Sequence, residues 1–287
     1  MTNPQLAQMY VPGRSRGLLD VFRQRYLLKL LVNKELKVRY RGSILGLMWS
    51  YVKPAIQFAV FFFAMGMFLG LNRGLPNYAI YLFSGIIVIN FFTEAIMNST
   101  KAILENSGLI KKIYLPRELF PVASVWVGAI HFFPQLVVLL IVLLLVGWLP
   151  TGIDLLFVLA AFVILFIFSL GIGMIFGSIN VLFRDSEKLV EMLAMVATWV
   201  SPVLYFHAMV ETALGSTWYF IYQLWPVTTA VEIFHYVFWL PTTDGSSPLP
   251  EGLLSFWLPL SAVTALIVLA IGQFVFHRIS PRFAQEL

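Results

Sequence analysis

Residues 155–183 read LLFVLAAFVILFIFSLGIGMIFGSINVLF, without a single Asp, Glu, Lys or Arg. A helix crosses roughly 30 Å of hydrocarbon with about 20 residues, because each residue rises about 1.5 Å and every backbone group must be paired internally. This stretch is long enough to span a bilayer. The same ruler finds apolar runs at 48–71, 78–97, 119–149, 189–206 and 253–276, which makes six. The third and fourth exceed the ruler, so they are expected to tilt, to kink near Pro134, or to project beyond the membrane.

Composition supports this reading. Apolar residues make up 60% of the 287 and charged residues 11%, with a mean hydropathy of +0.86. Soluble domains carry roughly 45–50% apolar and about 25% charged residues, so a water-soluble globule is excluded. The net charge of +5 sits in short basic segments between apolar runs, which suits a membrane surface better than nucleic acid. Without cysteine there is no thiolate chemistry, no Cys-ligated metal and no disulfide. Residues 1–17 lack the long apolar stretch of a cleavable secretory signal, and the first span is expected to direct insertion.

Six spans with a cytoplasmic N-terminus place the basic residues from Arg14 to Lys53, then Lys101, Lys111, Lys112, Arg117, Arg184, Lys188, Arg278 and Arg282, at the inner face; only Arg73 falls outside. That obeys the positive-inside tendency. A seventh candidate, 218–240, is broken by Pro226 and carries Glu232 and His235. A full crossing there would put Arg278 and Arg282 outside, so a re-entrant hairpin is preferred; an amphipathic lid anchored by aromatic residues is the alternative. The expected fold is therefore an all-α integral membrane protein. It has six transmembrane helices, an N-terminal interfacial amphipathic helix, and an extracytoplasmic re-entrant helical hairpin between spans five and six. The domains are 1–46, a cytoplasmic tail with the interface helix, and 47–287, the membrane domain, with a cytoplasmic loop at 98–118 and an extracytoplasmic loop at 207–252.

Between Leu18 and Arg41 the apolar Leu19, Phe22, Tyr26, Leu30 and Leu31 alternate with Arg23, Arg25, Lys29, Lys34, Lys37, Arg39 and Arg41. This pattern predicts a helix lying at the acyl boundary, either as a topology anchor or as a gating or partner-binding element. The 98–118 loop is too long for a hairpin turn. A short amphipathic helix stopped by Pro116 would present Leu109, Ile110, Ile113 and Tyr114 to a protein and Lys111 and Lys112 to water; a solvated basic loop stands equally beside it. Arg184 and Asp185, in a short turn of mixed charge, read as helix caps.

Catalytic chemistry is hard to find. Glu94, His131 and Lys53 are the ionisable groups near or inside spans, and each reads as structural. His131, His207, His235 and His277 are scattered, with no metal-ligand spacing, and no Gly-Lys-Ser/Thr phosphate loop exists. Carriers driven by protons or sodium would show more midplane acids or a repeated half. Phe58, Phe61, Phe62, Phe63, Trp126, Phe132, Phe133, Trp199, Tyr205 and Phe206 offer faces for sugar rings, or simply pack. Gly66, Gly70, Gly173 and Gly177 fit close helix contact, within the chain or in a homodimer.

The segment from Lys34 through Arg39-Tyr40-Arg41-Gly42-Ser43 to Gly46, with Trp49 and Pro54, resembles the entrance to the first span of ABC-type polysaccharide exporter permeases. These handle O-antigens, teichoic acids, capsules and cell-wall galactans. The likeness continues at 109–119, at Phe183-Arg184-Asp185, at Ser201-Pro202-Val203 and in the aromatic hairpin, and it sits nearest the actinobacterial galactan exporters. Trp225-Pro226 departs from the Asn-Pro of that pattern.

The resemblance implies a bacterial plasma-membrane, multi-pass permease with both termini cytoplasmic. It would act as a homodimer with two copies of a separate ATPase that binds ATP and Mg, and move a polymer carried on a polyprenyl diphosphate lipid. This chain would bind no cofactor or metal and catalyse nothing itself. Leu109, Ile110, Lys111, Lys112, Ile113, Tyr114, Pro116, Arg117 and Glu118 would form the coupling element. Arg39, Arg41 and Lys53 would flank the substrate entrance, and Trp218, Tyr219, Tyr222, Trp225 and Pro226 the outer gate. The alternatives are an ABC exporter of drugs or small lipids, and a membrane glycan or lipid transferase.

Overall fold

A computed structural model describes residues 17–113, 115–243 and 249–287. Among them helices account for all regular structure. Two short helices, α1 (Leu18–Arg23) and α2 (Arg25–Arg39), precede the first long one, α3 (Gly46–Phe68). Then follow α4 (Tyr78–Glu105), the single turn α5 (Ser107–Ile110), α6 (Leu119–Val146), α7 (Gly152–Leu182) and α8 (Ser186–Val200). The chain closes with α9 (His207–Gln223), α10 (Pro226–Phe234), α11 (Leu253–Arg282) and α12 (Phe283–Glu286). By length and composition α3, α4, α6, α7 and α11 can cross a membrane, so the protein is an all-α, multi-pass membrane protein.

The expected fifth span, 189–206, runs along α4 from the Lys101–Glu187 pair to Tyr78, whose hydroxyl donates to the Leu204 carbonyl, but it is helical over only part of its length. Its helix is the 15-residue α8, which at 1.5 Å per residue covers only about 22 Å. Pro202 is the reason: a proline disfavours helical backbone in the residue before it, and Ser201 is extended (φ −80°, ψ 150°). The chain then turns through Val203, which packs on Gly85 of α4. Around Pro134 and Pro54, by contrast, α6 and α3 run on through their prolines.

Buried side chains make α4 the central helix, packed on α6, α7, α8 and α10. Between α6 and α7 the reversal is encoded locally. Gly147 takes the left-handed conformation (φ 87°), its N–H and that of Trp148 reach back to the Leu144 and Leu143 carbonyls, and Thr151 with Asp154 forms a capping box on α7.

Glycine decides the tightest crossing. A Cβ on Gly272 of α11 would lie 2.4 Å from the Gly171 carbonyl oxygen of α7, and one on Gly173 would lie 2.3 Å from Ser99 Cβ of α4. Gly173 and Gly177 therefore serve packing within the chain.

Alternating spans collect the basic segments at one end. There Lys34 bonds Asn106, Lys101 pairs with Glu187, and Arg117 donates to the Ser280 carbonyl. At the opposite end Trp239 donates to the Pro76 carbonyl and Trp148 to that of Val237. From this far end the chain after Gly215 runs inward along α11, with Phe220 against Trp257. It turns at Trp225-Pro226 beside Phe92 and Phe168, and returns as α10 to Trp239. Every residue of α10 is buried, so the helix break at Trp225-Pro226 that precedes it is enclosed by protein.

Candidate functional site

A set of polar residues near the basic end lines a cavity of about 570 Å³ between α2, α3, α4 and α6. Its wall begins where α2 ends. Gly42 (φ 75°) and Gly46 (φ 50°) have nothing within 4 Å of a built Cβ, so they are needed for their left-handed backbone, not for space. With Ser43 Oγ accepting from the Gly46 N–H at 3.0 Å, they swing the chain from the interface helix into α3. That turn holds Arg39 and Tyr40 over the cavity, with Ser50 and Lys53 of α3 beside them.

Glu94 organises this cavity. Its Oε1 pairs with the Arg39 guanidinium, accepts from His131 Nδ1 at 2.7 Å and from Asn98 Nδ2 at 3.3 Å. The other imidazole nitrogen lies 2.9 Å from Tyr40 Oη, which in turn lies 2.9 Å from Ser50 Oγ. One chain of hydrogen bonds thus joins the interface helix to three spans. Above it, sharing Pro54 and Gln135 as a common wall, an apolar cavity of about 290 Å³ continues along α3 between Phe58, Ile80, Phe83 and Val142. A polar mouth with an apolar extension suits an amphiphile.

Of the three expected entrance cations, Arg39 and Lys53 line the cavity, while Arg41 is exposed at the turn beyond it. Arg39 is engaged by Glu94; Lys53 forms no ion pair among the described residues. Glu94 and His131, read singly as structural, are the pair that the structure makes central; Tyr40 stood in the sequence only as part of the entrance resemblance, and Ser50 gave no signal. Spacing alone offered the Glu94–Asn98 contact, four residues apart on a helix face.

Behind α2 the Glu35 carboxyl lies 3.2 and 3.3 Å from Ser124 Oγ. Burial, partly offset by the Ser124 hydroxyl, pushes it up to about 7. Leu19, Phe22, Tyr26 and Leu30 form the exposed apolar stripe of α1 and α2, while Leu31 turns inward with Val32.

The loop expected to couple is more compact than the sequence suggested. Its helix is the single turn α5, which ends at Ile110 and not at Pro116. Leu109 and Ile110 pack against the core, and Lys111, Lys112 and Ile113 are exposed. Pro116 is half-buried, Glu118 is buried, and Arg117 lies 5.6 Å over the Phe283 ring. Tyr114 lies outside the described residues. Of the gate residues, Trp218 is exposed, Tyr219 and Trp225 are half-buried, and Tyr222 and Pro226 are buried.

Fold and cavity define a helical membrane protein with a polar chamber at one end; among the described residues no group of three His, Cys, Asp or Glu side chains could hold a metal. Residues 26–239 match the ABC-2 type transporter family, and the chain belongs to that family of transport subunits. It is 27% identical over 267 residues to the O-antigen export system permease protein RfbA of Klebsiella pneumoniae, covering 91% of this chain and 95% of the relative. To the RfbA permease of Myxococcus xanthus it is 25% identical over 272 residues (95% and 99%). To the polysialic acid transport protein KpsM of Escherichia coli it is 23% identical over 219 residues (73% and 80%).

Proposed function

We propose that the chain is the permease subunit of an ATP-driven exporter that moves a polysaccharide, of O-antigen, teichoic acid or galactan type, out of the cytoplasm on a polyprenyl diphosphate lipid. The observation that carries this is the end-to-end similarity to O-antigen export permeases. The adjoining polar and apolar cavities support the lipid-linked form of the substrate. In this reading the basic end faces the cytoplasm of a bacterial cell and Lys53 meets the diphosphate, as a cation neutralises phosphate. Two copies of the chain assemble with two copies of a separate ATPase, which supplies the ATP and Mg chemistry. The exposed Lys111, Lys112 and Ile113 dock that ATPase, and the hairpin from Gly215 to Trp239 closes the outer side.

The test is to purify the tagged chain in mild detergent from its native membrane, identify partners in stoichiometric amount, and assay ATP hydrolysis and polysaccharide export. Recovery of an ATPase that is lost in the variant Lys111→Ala/Lys112→Ala supports the reading. Stimulation by drugs or small lipids, with no effect of deleting the gene on surface polysaccharide, would replace it with a different exporter. Turnover of a glycan by the chain alone would make it a transferase.

A further inference from the structure

Glu232 is buried in α10 at 1% exposure, in a stretch from Pro202 to Gly252 that contains no Lys or Arg. Its two partners are imidazoles: His207 Nδ1 of α9 lies 3.7 Å from Oε1, and His235 Nδ1 lies 3.7 Å from Oε2. At that separation neither is a hydrogen bond, and Glu232 Oε1, His207 Nδ1 and His235 Nδ1 are all buried without one. The far nitrogen of His235 engages the Tyr81 carbonyl at 3.1 Å, and its ring stacks on Tyr81 at 3.8 Å, so it is fixed against α4.

A carboxylate in such a place, with no hydrogen bond to Oε1 and no Lys or Arg near it, is a buried charge that only a proton within the group can compensate. One added proton, on either imidazole or on the carboxyl itself, makes the group neutral overall. The other titratable neighbours do not supply that compensation. Tyr78 and Tyr81 of α4, Tyr205 of the loop, and Tyr219 and Tyr222 of α9 carry no positive charge, and Glu211 adds a second negative one. From α11 the near group is the Ser261 hydroxyl bonded to Thr229, while His277, Arg278 and Arg282 stand at the basic end; α7 carries only Asp154, engaged with Thr151.

We propose that Glu232, His207 and His235 form a buried proton-binding site that is loaded when α9 lies closed against α10, and that lifting α9 into water releases the proton. Closure of α9 on α10 then takes up one proton, and the open-to-closed ratio rises by up to tenfold per pH unit over the range in which the two states differ by that proton. The inference rests on the proposed outer gate being movable through α9, and the experiment separates the two ideas.

The chain has no cysteine, so spin labels at Asn72→Cys and Thr212→Cys report the distance between the far-end loop and α9 without background. Labelled chain is diluted into unlabelled chain in lipid nanodiscs and distance distributions are recorded from pH 5 to 9. The expected result is two distances, the longer gaining population as pH rises, with that dependence abolished by the near-isosteric Glu232→Gln, which needs no proton. Two distances whose ratio ignores pH, or follows it equally in Glu232→Gln, overturn the proton site and leave the gate standing. A single distance at every pH, in the native chain and in Glu232→Gln, overturns both.

Discussion

Exchanging Glu94 for Gln keeps the volume of the side chain and removes the charge on which Arg39 and His131 converge. A hydrogen bond to a charged group contributes about 1.5–3 kcal/mol and a neutral one about 0.5–1.5, so each of these two contacts should weaken by about 1–1.5 kcal/mol. The Asn98 contact, at 3.3 Å, adds little. Arg39 and Glu94 side chains are 35% and 26% exposed, so water already screens that pair and its share is halved. Roughly 2 kcal/mol remains in total, about a thirtyfold change in an equilibrium constant. The assay is a pair of double-mutant cycles, Glu94→Gln with Arg39→Gln and Glu94→Gln with His131→Gln, read as unfolding free energies in mixed micelles. Coupling of about 0.5 kcal/mol in the first cycle and about 1 kcal/mol in the second is expected. Coupling below about 0.3 kcal/mol in both would show that the network seen around Glu94 holds nothing, and the cavity would lose its claim to a fixed shape.

Gly272→Ala should lower stability by about 1–3 kcal/mol, because α7 and α11 must move apart to admit a Cβ now 2.4 Å from a carbonyl oxygen; an unchanged thermal midpoint would contradict the crossing. For Glu35 the raised value of about 7 means that the docked helix keeps its proton. Its contribution is therefore full below the ordinary carboxylate value of 4.5, drains away as pH rises towards 7, and is flat above. Glu35→Gln, which cannot ionise, should remove that slope, as read by the mobility of a spin label at Lys37→Cys of α2 between pH 4.5 and 8. Thr151→Ala takes away the capping box of α7 and should cost about 1 kcal/mol, measured by the same unfolding assay.

The spans were legible because a bilayer imposes its thickness on composition. The start of α4 at Tyr78 and of α6 at Leu119 fall where the apolar runs begin. In the fifth run Ser201 and Pro202 end the helix early within a stretch that is apolar on both sides, and hydropathy does not register a broken backbone. The cavity was half legible. Arg39 and Lys53 stood out as cations at a membrane boundary, but Arg41, two residues on from Arg39, lies exposed past the end of α2 and does not line the cavity. Glu94 and His131 are 37 residues apart, and only the register of α4 against α6 brings them to 2.7 Å. Gly171 and Gly272 were missed for the same reason, since each meets its partner across two helices.

Where a polymer would travel follows from what fills the chain. Between the Glu94 cavity and the far end, Phe91, Phe132 and Phe162 pack with ring centroids 4.8 to 5.6 Å apart, and Phe234 of α10 joins them at 6.0 Å. Phenyl rings from four helices at such spacing leave no width for a sugar there in this conformation. The outer face of α3 and α8 is the one the proposed function points to: Val60, Phe63 and Met67 are exposed on the first, Met192, Met195 and Trp199 on the second, and the Phe61 and Trp199 ring centroids are 6.4 Å apart. The same α3 carries Trp49, Ser50 and Lys53 at the polar mouth, so the entrance and this face share a helix. In the dimer proposed above, this is a face that a second copy could cover, and Phe63→Ser on α3 with Trp199→Ser on α8 should weaken self-association of the purified chain if it does so.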